Sequence, residues 1–334
     1  MVRMILAAIV ATLLPSAALA EDDIPPGVMV AKENTYSVCG VLKIEAMFGE
    51  GLEIRTQIDE SCATAFQVSE TELLTSTRAI ATPAEEVMDF FRARQRAYED
   101  WGIRHNMPVG DMEITSTRYV YSPEGLRFTM PTMRTMTTWG GEELTDESLI
   151  ELKHQLDRAE WSVYHSEALI DEVARDSNIG LVLLRFKTPL TLARDDYVPV
   201  ESQEFKVHVS VWSISAYPPR IHSRGRPLLS ETPGSIRVVG KPPHMFNWGP
   251  GKNAKTYKVG SVSPGTVKEV GGPIVDARGW LVGMTQDVVT NESVFPFGIE
   301  PCNVPPPNGT MLNCEVWAIA VEEVFRFLEE ARKQ

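Results

Sequence analysis

From Val270 to Met284 the chain reads VGGPIVDARGWLVGM. Two glycines and a proline precede an apolar run, the turn Asp276-Ala277-Arg278-Gly279 interrupts it, and a second strand follows from Trp280 to Gly283. Gly-Gly-Pro before an apolar run is how a hairpin strand begins, so this stretch commits its end of the chain to antiparallel β structure. Beyond Pro189 the same grammar repeats as short strands divided by proline and glycine, the pattern of a β-barrel.

Upstream, Val41 to Phe48 and Leu52 to Ile58 alternate apolar with polar residues around Gly49-Glu50-Gly51 and read as a hairpin. Ala63 to Ala81 reads as an alternating strand, a polar turn Ser69-Glu70-Thr71 and a second apolar strand. Ser116 to Tyr121 and Leu126 to Met130 read as strands around Ser122-Pro123-Glu124-Gly125. Two helices interrupt this β pattern. Thr82 caps the first, with Pro83 at its first helical position and Glu85 closing a capping box. Val87, Phe90, Phe91, Ala97, Tyr98 and Trp101 recur on one face of it, as a core-packing stripe does. The second runs from Thr145 to Trp161, with Leu149, Leu152 and Leu156 on one side.

Met1 to Ala20 has a basic start at Arg3, an apolar run from Met4 to Leu14 and a small-residue end, Ala18-Leu19-Ala20. That is the layout of a cleaved secretory signal, and its apolar run is too short to span a bilayer. Cleavage leaves Glu21 first, and residues 21–35, acidic and holding Pro25-Pro26, read as a flexible lead-in. No later stretch is long and apolar enough to cross a membrane. In an exported chain four cysteines suggest two disulfides, for which sequence allows three pairings. Folding the hairpin about Glu50 brings Cys39 opposite Cys62 to within roughly one residue of register, leaving Cys302 and Cys314 to pair across a proline-rich loop. The net charge of -13 becomes one more negative when Arg3 leaves with the signal. An acidic surface repels phosphate backbones, which argues against a nucleic-acid partner.

Four segments, in order between Phe66 and Leu328, resemble the trypsin-like serine proteases, HtrA-type members in particular. The family writes GNSGGPLV where this chain has KEVGGPIV from Lys268 to Val275. It writes G-x-G-F-x-V-S, a turn and LLTAAHVV where Phe66, Val68, Ser69, Leu73, Leu74 and Thr75 keep the frame. Its D-P-x-x-D-L-A-V-L-K-I is similar to Asp176 through Phe186, and its closing A-I-P-V-x-x-V-x-x-F-L to Val316 through Leu328. Val207 to Tyr217 resembles the strand before the family's G-Y-P, with Ala216 where glycine is common.

The resemblance implies a mostly β, chymotrypsin-like double β-barrel with inserted helices and a C-terminal helix: an N-terminal barrel over residues 36–200 and a C-terminal barrel with its closing helix over 201–334. It also puts Arg78 at the histidine base, Gly180 at the orienting aspartate and Val270 at the nucleophilic serine. A slip of two residues would place Asn178 at the aspartate instead, without the charge that steadies an imidazolium. Arginine stays protonated and valine has no lone pair, so neither performs its position's chemistry. The family's anion hole uses the backbone NH groups at positions 268 and 270, and Lys268 replaces a glycine there.

The histidines offer little with which to rebuild the site. His105, His154, His165, His208 and His222 lie in segments with no nucleophile motif nearby, His222 among the arginines of Pro218 to Arg226, a solvated loop. His244, in the Gly/Pro-rich loop that also holds Trp248, is the one that could approach the old cleft. No ligand spacing supports a metal, and no cofactor is expected. The expectation is an exported protease homologue of the cell envelope, periplasmic or secreted, that holds a peptide or protein partner without cleaving it. The competing expectation is an active serine-type hydrolase whose triad is misaligned in this reading or has been replaced.

Overall fold

The computed structural model describes residues 24–48, 53–77, 79–102, 110–139, 143–165, 168–187, 197–217, 226–240, 254–261, 270–289 and 315–333. Helix α1 (Pro26–Glu33) leads into strands β1 (Thr35–Phe48), β2 (Glu53–Ser69) and β3 (Glu72–Ser76). Then come α2 (Pro83–Trp101), β4 (Gly110–Tyr121), β5 (Arg127–Thr129), β6 (Thr132–Trp139), α3 (Asp146–Arg158), β7 (Ser162–Tyr164), β8 (Ile170–Asp176) and β9 (Leu181–Phe186). The second half contains β10 (Ser210–Tyr217), β11 (Leu228–Gly240), β12 (Thr256–Ser261), β13 (Pro273–Val275), β14 (Leu281–Val289), β15 (Glu315–Ala320) and α4 (Val321–Ala331).

The first unit is one antiparallel sheet in the order β7-β6-β4-β1-β2-β3-β9-β8, with β5 added to β4. It curls into a half-barrel. Backbone bonds from Leu169 N–H to Thr129 O (2.8 Å) and from Lys187 N–H to Leu169 O (2.9 Å) draw the two ends together. Tyr36, Val38, Leu73, Val120, Ile170 and Phe186 fill the inside. Strands β1, β2, β4 and β6 run on past this curl, and α2 and α3 cover their extension: Leu42, Ile44 and Ile114 pack with Val87, Phe91 and Leu152. Each such side chain, fully buried, contributes about 1.5 to 3 kcal/mol.

The second unit closes on itself in the order β10-β11-β12-β15-β14-β13. Its core does not stop at the unit boundary. Phe66, Leu74, Leu181 and Leu183 of the first sheet belong to the same cluster as Ile214, Tyr257 and Met284 of the barrel. The architecture is thus the expected chymotrypsin-like one, mostly β in two units with inserted helices and a C-terminal helix. The first unit curls where the second forms a continuous ring.

Several boundaries differ from the sequence reading, each for a physical reason. Pro26–Glu33, read as part of a flexible lead-in, is helix α1, because a proline at the first helical position begins a helix as readily as it breaks one. Val28 and Ala31 anchor it in the core. The strands read at Leu52 to Ile58 and Ala63 to Val68 are one strand, β2. Strand β6, TMRTMTTW, is too rich in threonine to stand out by alternation. Val316 to Ala320, the first part of the stretch that resembles the family's closing segment, is strand β15. All five residues are buried, and a continuous apolar run has no period to separate strand from helix. On α4 the resemblance implies an apolar face of Val321, Val324, Phe325 and Leu328; Phe327 rather than Phe325 joins the other three in burial. On α2, Ala97 faces solvent although it was assigned to the packed stripe.

Cys39 and Cys62 stand directly opposite in the β1–β2 register and form a disulfide. Cys302 and Cys314 lie outside the described residues. Mass spectrometry of unreduced peptides is expected to join Cys39 to Cys62 and Cys302 to Cys314, with the mature chain beginning at Glu21. A bridge between the two pairs, or a mature form that retains Met1, would overturn this.

Glu72 ties the units at a second place. Its carboxylate, almost fully buried, accepts from Arg185 Nη2 of β9 (2.9 Å) and from Arg332 Nε and Nη2 (3.0 and 2.7 Å), just past α4. Burial alone raises the Glu72 carboxyl, but the bonds from the two arginines outweigh it and hold it below the ordinary glutamate value of 4.5. A depressed carboxyl contributes stability above its unfolded value and loses it as pH falls through the folded one. Urea melts are therefore expected to show an acid-induced loss below about pH 4.5 that is smaller in Glu72→Gln. Identical acid profiles for the two proteins would remove Glu72 from the account.

Candidate functional site

Val270 and Gly271 form the turn that enters the β13–β14 hairpin. Gly271 has φ +83°, a left-handed backbone that an L side chain adopts only at a cost. Its N–H donates to Thr285 O (2.8 Å), and Thr285 N–H donates to Gly272 O (2.9 Å), so β14 holds the turn by its main chain. The opposite side of the turn rests on the first unit: Thr64 N–H donates to Val270 O at 2.9 Å. A Cβ on Gly271 would run into the Thr64 carbonyl oxygen and lie 2.7 Å from Thr75 Oγ1. Only glycine fits.

Around this turn the units meet through buried polar groups. Thr75 Oγ1 donates to Thr64 O (2.7 Å), and Ala216 N–H of β10 donates to Thr64 Oγ1 (3.1 Å). Ser76 Oγ donates to Gln286 Oε1 (3.1 Å), whose Nε2 donates to Gly180 O (3.2 Å). Gly180 O also accepts from Thr77 N–H at 3.0 Å. Gly180 has φ +73°, and a Cβ there would come within 2.8 Å of Gln286 Oε1. The space beside Gly180 is filled by a carboxamide reaching over from the other unit. Because Ser76 bonds to Gln286 and also borders Gly271, Gly180 and the Val270 turn belong to one junction.

The chemistry available follows from these partners. Val270 is 5% exposed and its carbonyl accepts from Thr64 N–H, so its side chain is buried and its carbonyl is committed to the first unit. The Ser76 hydroxyl gives its proton to an amide oxygen, and an amide is no base at ordinary pH. The described histidines are elsewhere: His154 on α3, His165 after β7 and His208 before β10. Asn178 is exposed at the β8–β9 turn, where its N–H donates to Asp176 Oδ1 (2.7 Å). Arg78 and Lys268 lie outside the described residues, as do His105, His222, His244 and Trp248. Sequence reasoning missed Gln286 and Thr64. Gln286 carried a weak signal, as a polar side chain two residues after the apolar run that ends β14's first half at Met284.

No protein-family model and no curated protein sequence matches the chain. Among solved structures it is similar to the protease Rv3671c of M. tuberculosis in its inactive form, with 12% identity over 92% of this chain and 93% of that one and a TM-score of 0.44. It is also similar to the HtrA-type protease AlgW with a decapeptide, at 12% identity over 92% of this chain and 67% of that one and a TM-score of 0.48.

Proposed function

We propose that the chain is an exported, catalytically inactive homologue of the trypsin-like serine proteases, acting in the cell envelope by holding a peptide or protein. One observation carries this reading: the position that the sequence resemblance assigns to the nucleophile is a buried valine in a turn packed against Thr64. A nucleophile must meet its substrate, and a buried residue with its carbonyl committed across a unit boundary does not.

Gly180 supports the same reading. Restoring an aspartate there would require the left-handed backbone to accept a side chain and Gln286 to leave. The triad cannot be recovered one residue at a time. Extended-peptide binding needs no triad, because main-chain bonds to a strand edge supply the affinity. Export is supported by the signal-like residues 1–20 and by the Cys39–Cys62 disulfide, a bond that persists in oxidising compartments. Among the described residues no helix is long and apolar enough to cross a membrane.

The test is labelling with a serine-directed fluorophosphonate. Neither the wild type nor Val270→Ser is expected to react above a heat-denatured control. Stoichiometric labelling of the folded wild type would reveal an activated serine and reverse the assignment.

A further inference from the structure

Away from the junction, a groove of about 600 Å3 opens where the β2–β3 turn, β9, the 197–200 segment and α4 come together. Its lining is mostly polar, but one side is apolar and aromatic: Val68, Val200, Leu328 and Phe325 contribute there, and Tyr197 stands 40% exposed at its edge. Its polar groups are unevenly used. The Glu72 carboxylate takes hydrogen bonds from Ser69 Oγ (3.1 Å), Arg185 and Arg332, and its side chain is only 7% exposed, so its charge is spent inward. The two arginines keep capacity. Arg185 commits one nitrogen and Arg332 two, out of five N–H donors on each guanidinium, and their side chains are 45% and 43% exposed. Two cations thus share one saturated anion. The remaining acid of the lining, Glu329, pairs outward with Lys333 at 3.8 Å.

We propose that this groove binds a carboxylate carried on an apolar or aromatic body. The carboxylate takes the unused guanidinium donors in place of water, and the body lies along Phe325 and Tyr197. A single negative charge balances the surplus, and a forked carboxylate matches the planar donors of arginine. The volume suits a ligand of small-molecule size. Nothing in this depends on how Val270 is read. The same chemistry is offered by a free organic acid and by the C-terminus of a peptide ending in an aromatic residue.

Titration of the purified full chain, followed by protein NMR, separates the possibilities. The probes are 3-phenylpropionate, 3-phenylpropionamide, and the tripeptide Ala-Ala-Phe as free acid and as amide. Carboxylates are expected to bind at least about tenfold more tightly than their amides. Arg185→Gln and Arg332→Gln are each expected to weaken carboxylate binding by about tenfold while circular dichroism shows an intact fold. Glu72→Gln, which releases both guanidiniums, is expected to tighten it, an effect that loss of a structural tie would not produce. Binding of 3-phenylpropionate alone assigns a free acid, and binding of the tripeptide acid assigns a chain terminus; both uphold the site. Equal affinity for acid and amide, no carboxylate binding, or affinity unmoved in both arginine variants would overturn it.

Discussion

Gly271→Ala is expected to be among the most destabilising single substitutions in the chain. Two costs add. A left-handed backbone disfavours any Cβ by about 1 to 2 kcal/mol, and forcing extra volume into a filled site costs about 1 to 3 kcal/mol. Here the added carbon meets main chain, the Thr64 carbonyl, which cannot rotate away. The turn must shift, and with it the Thr64 bond to Val270 and the main-chain pair with Thr285. Gly102 supplies the control: its φ is +63° but nothing lies within 4 Å of a Cβ placed there. Gly102→Ala should therefore show the conformational cost alone. Urea unfolding followed by circular dichroism compares the two, and equal losses would mean that the turn does not rest on the first unit.

Glu86→Leu is expected to cost about 3 to 5 kcal/mol, the range for leaving a buried charge without its partner. Glu86, in the first turn of α2, accepts from Arg118 Nε (3.1 Å), Arg118 Nη2 (2.9 Å) and Ser116 Oγ (2.6 Å) on β4. Arg118 Nη2 also bonds the Ala81 carbonyl just before the helix. The Arg118 side chain is 5% exposed, so water cannot replace the lost carboxylate. Gly40 makes the approach possible, since a Cβ there would sit 3.2 Å from Glu86 Oε1. Replacing both partners, Glu86→Leu with Arg118→Met, removes the stranded charge as well. The double variant is expected to be more stable than Glu86→Leu alone. A double variant as unstable as the sum of the singles would show that the pair acts through packing rather than charge.

The parts of the fold legible in sequence are those where one local rule acts alone. The α2 start is such a case: Thr82 Oγ1 accepts from Glu85 N–H (3.3 Å) and Glu85 Oε2 accepts from Thr82 N–H (2.7 Å), the reciprocal box that the spacing announces. The Cys39–Cys62 register is another, because period-two alternation fixes which residues face each other. Strand β15 and helix α1 were hidden for the opposite reason. A run buried on both faces has no period, and the burial of Val28 and Ala31 depends on residues far along the chain. At the junction, sequence located Gly180 and Val270 as positions but not their surroundings. Gln286 fills the space beside Gly180 from 106 residues away, and no local pattern specifies such a contact. Thr64 was likewise legible only as one residue of an alternating strand.

Turnover tests most directly the proposal that a protease frame persists here without its chemistry. Purified mature protein is incubated with unfolded casein and a fluorogenic peptide library, beside Val270→Ser and Val270→Asp. No variant is expected to cleave above the buffer rate. Serine at position 270 would enter a packed turn beside which the described residues place no histidine, and residual catalysis from an anion hole needs a substrate that can reach it. Turnover by the wild type that follows the folded chain through purification, and that Val270→Asp abolishes, would contradict the account and place a rebuilt active site in this junction.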